Sequence, residues 1–218
     1  GTDSVTLGSA GAVTVSGVET LVGSSGDDAV TLATTVSGAS INLGAGTNTL
    51  TLATGANTLA ASGVATITGG SGNDALTLTN AQSGTSIDLG AGTNVLTLAD
   101  GGNTVTVAGV ATLIGGSGTD VVTFSGTAPV SVIGIETLIG SSDDNAVTLT
   151  DNVSGASIDL SAGSDTLSLA AGTNTLSIAG VETVIGSGSD DALTLTNAVS
   201  GATISLRSEE HTSELQSH

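Results

Sequence analysis

One short phrase recurs along the chain and limits what it can fold into: Gly-x-Asp/Asn-x-Φ-x-Φ, where Φ is Val, Leu, Ile or Phe. It reads GTDSVTL from Gly1, GDDAVTL from Gly26, GTNTLTL from Gly46, GNDALTL from Gly72 and GTNVLTL from Gly92. It continues as GTDVVTF from Gly118 and GSDTLSL from Gly163, with looser copies DDNAVTL from Asp143 and SDDALTL from Ser189. The nine starts step by 25, 20, 26, 20, 26, 25, 20 and 26 residues. A second phrase, Gly-Val/Ile-Glu/Ala-Thr-Φ, begins at Gly17, Gly63, Gly109, Gly134 and Gly180, spaced by 46, 46, 25 and 46. Self-similarity at a fixed period marks a solenoid, whose repeats bury their apolar faces only against their neighbours. Each step reads as one coil, and the 46-residue repeat as two. Adding or deleting a whole coil leaves a stacked ladder intact, so repeats of 46 and 25 residues can coexist.

The local pattern is β. Ala29-Val30-Thr31-Leu32 alternates with period two, as a half-buried strand does, and Gly, Ser, Asn and Asp punctuate the chain with turn chemistry. Further strands are expected at 40–43, 58–61, 86–89, 104–107, 129–132, 157–160, 175–178 and 203–206, with short third strands at 65–68 and 111–114. Residues 1–206 carry no capped apolar stripe of helical period. The expected fold is therefore all-β: a parallel β-solenoid (β-roll or β-helix) of about nine coils of 20–26 residues, a rod on the order of 40 Å long. Val30, Leu50, Leu76, Leu96, Val122, Val147, Leu167 and Leu193 would form one inward column. Leu32, Leu52, Leu78, Leu98, Phe124, Leu149, Leu169 and Leu195 would form another. Pro129, lacking a backbone donor, should open a strand.

Composition agrees. The 218 residues include 33 Gly, one Phe, one Pro and no Cys, Met, Trp or Tyr, so any core is thin and aliphatic. Without Cys there is no disulfide framework and no thiolate zinc site. Lys and Arg total 1 against 20 acids, a net charge of -19, which argues against nucleic acid and anionic membrane surfaces as partners. No apolar run reaches the ~18 residues of a membrane span, so membrane insertion is not expected.

The last twelve residues, RSEEHTSELQSH from Arg207 to His218, break every pattern before them. They resemble an in-frame translation of a sequencing adapter and read as a non-native, disordered tail on a 1–206 repeat domain. They hold both His, the one Arg and three of the 20 acids, leaving 17 acids and no cationic side chain in 1–206. No His-based catalytic site, Gly-x-Ser-x-Gly elbow or Walker loop remains, so the chain reads as non-enzymatic.

Two stretches, GGSGNDALT from Gly69 and GGSGTDVVT from Gly115, match Gly-Gly-x-Gly-x-Asp-x-Φ-x in full. This pattern resembles the repeats-in-toxin (RTX, hemolysin-type) family of calcium-binding β-solenoids. The resemblance implies Ca²⁺ sandwiched between turns of successive coils, held by Asp carboxylates and backbone carbonyls. Carried over by position, the ligands would be Asp28, Asp74, Asp120, Asp165 and Asp191. Asn48, Asn94 and Asn145 stand where the family has Asp, which lowers the charge of each site. The same row also reads as a turn-capping ladder that binds no metal, its side chains bonding to local backbone.

Glu19, Glu136 and Glu182 share a register with Ala65 and Ala111, which speaks for a solvated face rather than catalytic acids. The outward row Thr31, Thr51, Thr77, Thr97, Thr123, Thr148, Ser168 and Thr194 could in principle order water or ice, but its neighbouring column (Ala29, Thr49, Ala75, Val95) is mixed. The expectation is a structural spacer in a large secreted or cell-surface bacterial protein of adhesin or surface-layer type. The alternatives are an accessory repeat region of a secreted protease or lipase and, more remotely, an ice-binding solenoid. Expected partners are neighbouring repeats of the same chain, with self-association through open solenoid ends.

Overall fold

The computed structural model describes residues 1–127, 129–197 and 201–206; the 207–218 tail falls outside the described residues. Within them the chain is all-β, with no helix: 23 short strands run from Ser4–Thr6 to Thr203–Ser205. They alternate strictly between two parallel sheets, twelve strands in one and eleven in the other. The chain is thus a two-walled parallel β-solenoid, with one strand per coil in each wall. Strands are expected to be parallel here because every coil crosses each wall in the same direction.

The strands form where the phrase says they should. The Asp28–Leu32 strand alternates buried and exposed residues, Val30 and Leu32 inward and Ala29 and Thr31 outward. Pro129 opens the strand Pro129–Ile133. The strands expected at 58–61, 104–107 and 175–178 appear as Thr58–Ser62, Thr104–Ala108 and Thr175–Ala179.

The coil, however, is shorter than the repeat step. Ladder partners stand mostly 17 or 20 residues apart, as in Thr58 with Ala75 and Ala29 with Thr49. A 20-residue step, from the Asp28–Leu32 strand to Thr49–Thr51, crosses two strands and completes one coil. A step of 25 or 26, from Thr49–Thr51 to Ala75–Leu78, crosses three strands and completes one and a half. Successive 46-residue repeats therefore present the same residues on opposite walls, and the sheets hold 12 and 11 strands where about nine coils were expected.

This overturns the expected columns. Val30 and Leu50 do stack, but Leu50 continues onto Ile67 and Ile87, while Leu76 lies in the other wall between Leu59 and Leu96. Val122 stacks between Val105 and Leu138, and Val147 between Val130 and Leu167. The side chains still face one shared interior, because both walls point their apolar rows into the same slab. One continuous core results, from Val15 and Leu21 to Ile178 and Val184. Burial of each such side chain stabilises by roughly 1.5–3 kcal/mol. Phe124, stacked on Val107, is the single aromatic in it. At the C-terminal end of the described coils the inward positions open: Leu195 is 47% and Ile204 40% exposed.

Candidate functional site

The polar residues that matter sit just before or at the start of the strands, where each turn feeds into a wall. Asp28, Asn48, Asp74, Asn94, Asp120, Asn145 and Asp165 are all buried, and Asp191 is half-buried. A carboxylate or amide in such a place must find partners within the chain. They find them along the rod axis. The Asp28 N–H donates to Asn48 Oδ1 and the Asp74 N–H to Asn94 Oδ1, both at 2.7 Å, and the Asn145 N–H to Asp165 Oδ1 at 2.6 Å.

The eight residues do not make one row. Asp74, Asn94, Asn145 and Asp165 lead into strands of the 12-stranded wall; Asp28, Asn48, Asp120 and Asp191 belong to the 11-stranded wall. The structure brings them together as three stacked pairs, Asp28–Asn48, Asp74–Asn94 and Asn145–Asp165. Asp120 and Asp191 stack instead, and Asp74 on its other side, on residues that the repeat phrase had left out.

Those residues are Asn57, Asn103 and Asn174, all essentially fully buried. Asp74 Oδ1 accepts the Asn57 N–H at 2.9 Å and its Nδ2 at 2.8 Å. Asn103 makes the same pair of bonds to Asp120 Oδ1, at 2.9 and 2.8 Å, and Asn174 to Asp191 Oδ1, at 3.1 and 2.8 Å. The signal was present: GANTLA from Gly55, GGNTVT from Gly101 and GTNTLS from Gly172 each carry Gly-x-Asn-x-Φ. They were hidden because each follows half a coil after a copy already counted, at Asn48, Asn94 and Asp165, and so falls between the starts of the repeat phrase.

The glutamates are also part of the ladder, not of a solvated face. Glu19, Glu136 and Glu182 are half-buried, and their Oε2 atoms accept the N–H groups of Asp3, Asp120 and Asp165 at 2.8, 2.9 and 2.9 Å.

Charge states follow the partners. Burial works against the charged form of Asp191, but the Asn174 amide and the Ser187 N–H and hydroxyl outweigh it and hold its carboxyl below the ordinary value. Asp165 is the reverse: burial, aided by the nearby Glu182 and Asp144 charges, raises it despite the bond from the Asn145 N–H.

A calcium ion needs six to eight oxygens, so the free lone pairs decide the fit. The second carboxylate oxygens of Asp28, Asp120 and Asp191 accept the N–H groups of Ser24, Gly116 and Ser187, at 2.8, 3.2 and 3.2 Å. Asp74 Oδ2 and Asp165 Oδ2 are buried without a hydrogen-bond partner. The Nδ2 groups of Asn48 and Asn94 already fill the carbonyl-lined space of their turns. Among the described residues no group of three or more His, Cys, Asp or Glu is arranged to hold a metal ion, so any ion would rest on one or two carboxylates plus carbonyls.

Comparison with models of protein families, with curated proteins and with solved structures finds no match to this chain.

Proposed function

We propose that this chain is a structural spacer: a stiff rod segment of a large secreted or cell-surface bacterial protein of adhesin or surface-layer type. The observation that supports it most is where the buried polar groups go. Asp28, Asp74, Asp120, Asn48, Asn94 and Asn103 bond from coil to coil, so the polar interior is used in holding the stack together. Twelve strands at about 4.8 Å spacing make a rod of roughly 50 Å. The open inward positions at Leu195 and Ile204 support self-association through the ends. Placing residues 1–206 between two folded reporter domains tests the reading by small-angle scattering. A narrow spacing near the rod length is expected; a broad distribution typical of a flexible linker would overturn it.

Calcium belongs to this proposal only at the turns whose carboxylate oxygens remain free, those of Asp74 and Asp165.

A second reading, a water-ordering or ice-binding face, gains from the wall assignment. Thr14, Thr31, Thr51 and Thr68 form one outward column, beside Ala29, Thr49, Thr66, Ser86, Thr106 and Thr123 in the next. The neighbouring column is thus richer in hydroxyls than the repeat phrase implied. Asp88, after Thr68 in one column, and Ile139, after Thr123 in the other, interrupt the array, so the spacer reading stands first. Inhibition of ice recrystallisation by wild type, lost in T51K/T68K, would favour the second reading; inactivity of the wild type would dispose of it.

A further inference from the structure

Three strands of the rod open on one segment. It reads Val-Ser-Gly-Ala-Ser-Ile from Val36 and from Val153, and Gln-Ser-Gly-Thr-Ser-Ile from Gln82. The backbones agree: Gly38, Gly84 and Gly155 have φ of 74°, 79° and 78°, and the ladder register shifts at each. Such a bulge bends the start of the strand and re-aims its side chains. In all three the segment packs against a Gly-Val/Ile-Glu/Ala turn of the coil before. The Ser40, Ser86 and Ser157 N–H groups donate to Glu19 O, Ala65 O and Glu136 O at 2.8, 3.0 and 2.8 Å.

What lies between turn and segment differs. Where the turn ends in Ala65, the buried side chains of Gln82 and Thr85 fill the niche. The Thr85 hydroxyl lies 2.7 Å from Gln82 Oε1 and 3.3 Å from Val64 O, and Gln82 Nε2 donates to Asn80 O at 2.7 Å. Where the turn ends in glutamate, Val and Ala replace that pair and a cavity remains. One of about 240 Å³ is lined by Val18, Glu19, Val36 and Ala39; one of about 100 Å³ is lined by Ile135, Glu136, Asp151, Val153 and Ala156. Each glutamate gives Oε2 to an N–H of the coil before, that of Asp3 or Asp120, and its Oε1 accepts no hydrogen bond among the described residues. Glutamate and an open apolar floor thus occur together, as do alanine and a filled, polar one. The capping bond runs toward the preceding coil and does not account for the opening toward the following one.

We infer that the Glu19 and Glu136 niches bind a primary ammonium carried on a short alkyl stem: the end of a lysine side chain or a free alkylamine. Floor and carboxylate select it together. A carboxylate attracts any cation, but Val and Ala side chains stabilise only one that brings methylene groups to bury. An ammonium has three donors to place, and Glu19 in one niche and Glu136 with Asp151 in the other supply acceptors. The cavities suit a four-carbon stem rather than a whole cofactor. Residues 1–206 hold 17 acids and no Lys, Arg or His, so no side chain of the rod competes for the niches, and its field concentrates cations around it. Glu19 leads into the 12-stranded wall and Glu136 into the 11-stranded one, so the niches open on opposite edges and bind independently. The site holds whether or not the rod serves as a spacer.

NMR titration of the isotope-labelled full chain tests this, with n-butylammonium chloride, methylammonium chloride, N-acetyl-lysine N-methylamide and NaCl at matched ionic strength. Butylammonium should give saturable shifts at the amides of Val18, Val36 and Ala39 and of Ile135, Val153 and Ala156, while Val64 and Thr85 stay still. Methylammonium, which has no stem, should bind more weakly. E19Q should weaken the first niche about fivefold, the scale of a partly exposed ion pair, and leave the second unchanged. V36Q/A39T, which copies Gln82 and Thr85, should close the first niche alone. Binding of the lysine derivative at least as tight as butylammonium assigns the niches to a lysine-bearing partner; weaker binding assigns them to a free amine. Absence of saturable shifts, equal shifts in NaCl, equal binding of methylammonium, equal movement at Val64 and Thr85, or an E19Q variant that binds like wild type would overturn the site. If V36Q/A39T does not fold, E136Q repeats the measurement at the second niche.

Discussion

Asn103 and Asp120 face each other across one coil: a single carboxylate oxygen, Asp120 Oδ1, accepts both the backbone N–H and the side-chain amide of Asn103, at 2.9 and 2.8 Å. The same amide also donates to Ala99 O and Gly101 O at 2.8 Å. One side chain therefore closes its own turn and ties it to the next coil. Truncation in N103A leaves one buried carbonyl, one part-buried carbonyl and a carboxylate oxygen short of donors. The expected loss is on the order of 2–4 kcal/mol, since each unsatisfied buried group costs about 1–3 kcal/mol. Denaturant melting checks it; a loss under about 0.5 kcal/mol would mean the ladder contributes little.

The wall assignment can be read by cross-linking. Thr51 and Thr68 are outward ladder partners, and adjacent strands bring Cα atoms within the range a disulfide spans. T51C/T68C should therefore oxidise to an intramolecular disulfide. T51C/T77C, neighbours in the repeat phrase but on opposite walls, should not. Oxidation of the second pair with no reaction of the first would restore the repeat-based columns.

Asp100 supplies an acid-side test. The Ser117 N–H and hydroxyl bond to its Oδ1 at 3.0 and 2.9 Å and lower its carboxyl from the ordinary 3.8. A carboxyl lowered in the folded state stabilises above its unfolded value and loses that contribution as pH falls through the folded value. The melting difference between wild type and S117A should therefore be flat from pH 7 to about 5 and shrink below 3.8. Being surface-exposed, the pair should give a small effect. Carboxyl titration by NMR should show Asp100 moving upward in S117A; an unmoved Asp100 would refute the assignment.

Exposed inward positions make the C-terminal coils adhesive. Leu195 and Ile204 sit in columns that continue Ile178 and Val184. Charge there should suppress end-to-end contact at little cost to the fold. Light scattering of L195K/I204K should show less concentration-dependent association than wild type; equal association would place the contact elsewhere.

Much of this was legible in advance, and the errors over columns and rows have one source. Alternation in Ala29-Val30-Thr31-Leu32 sets strand type and inward face, because side chains on a pleated strand point to opposite sides. Pro129 marks a strand start because it cannot donate a ladder bond. The capping row was visible as Asp and Asn after Gly, but it looked like one row because the strongest copies of the phrase mix steps of one coil and one and a half.

The sequence by itself determined the stacked, parallel, all-β architecture and which residues face inward, since these follow from periodicity and turn chemistry within a few residues. Only the tertiary structure decided which wall each strand joins. Both walls demand the same pattern of side chains, so the local pattern cannot tell half a turn from a whole one. The same pairing decided that Asn57, Asn103 and Asn174 complete the ladder and that Glu136 caps Asp120.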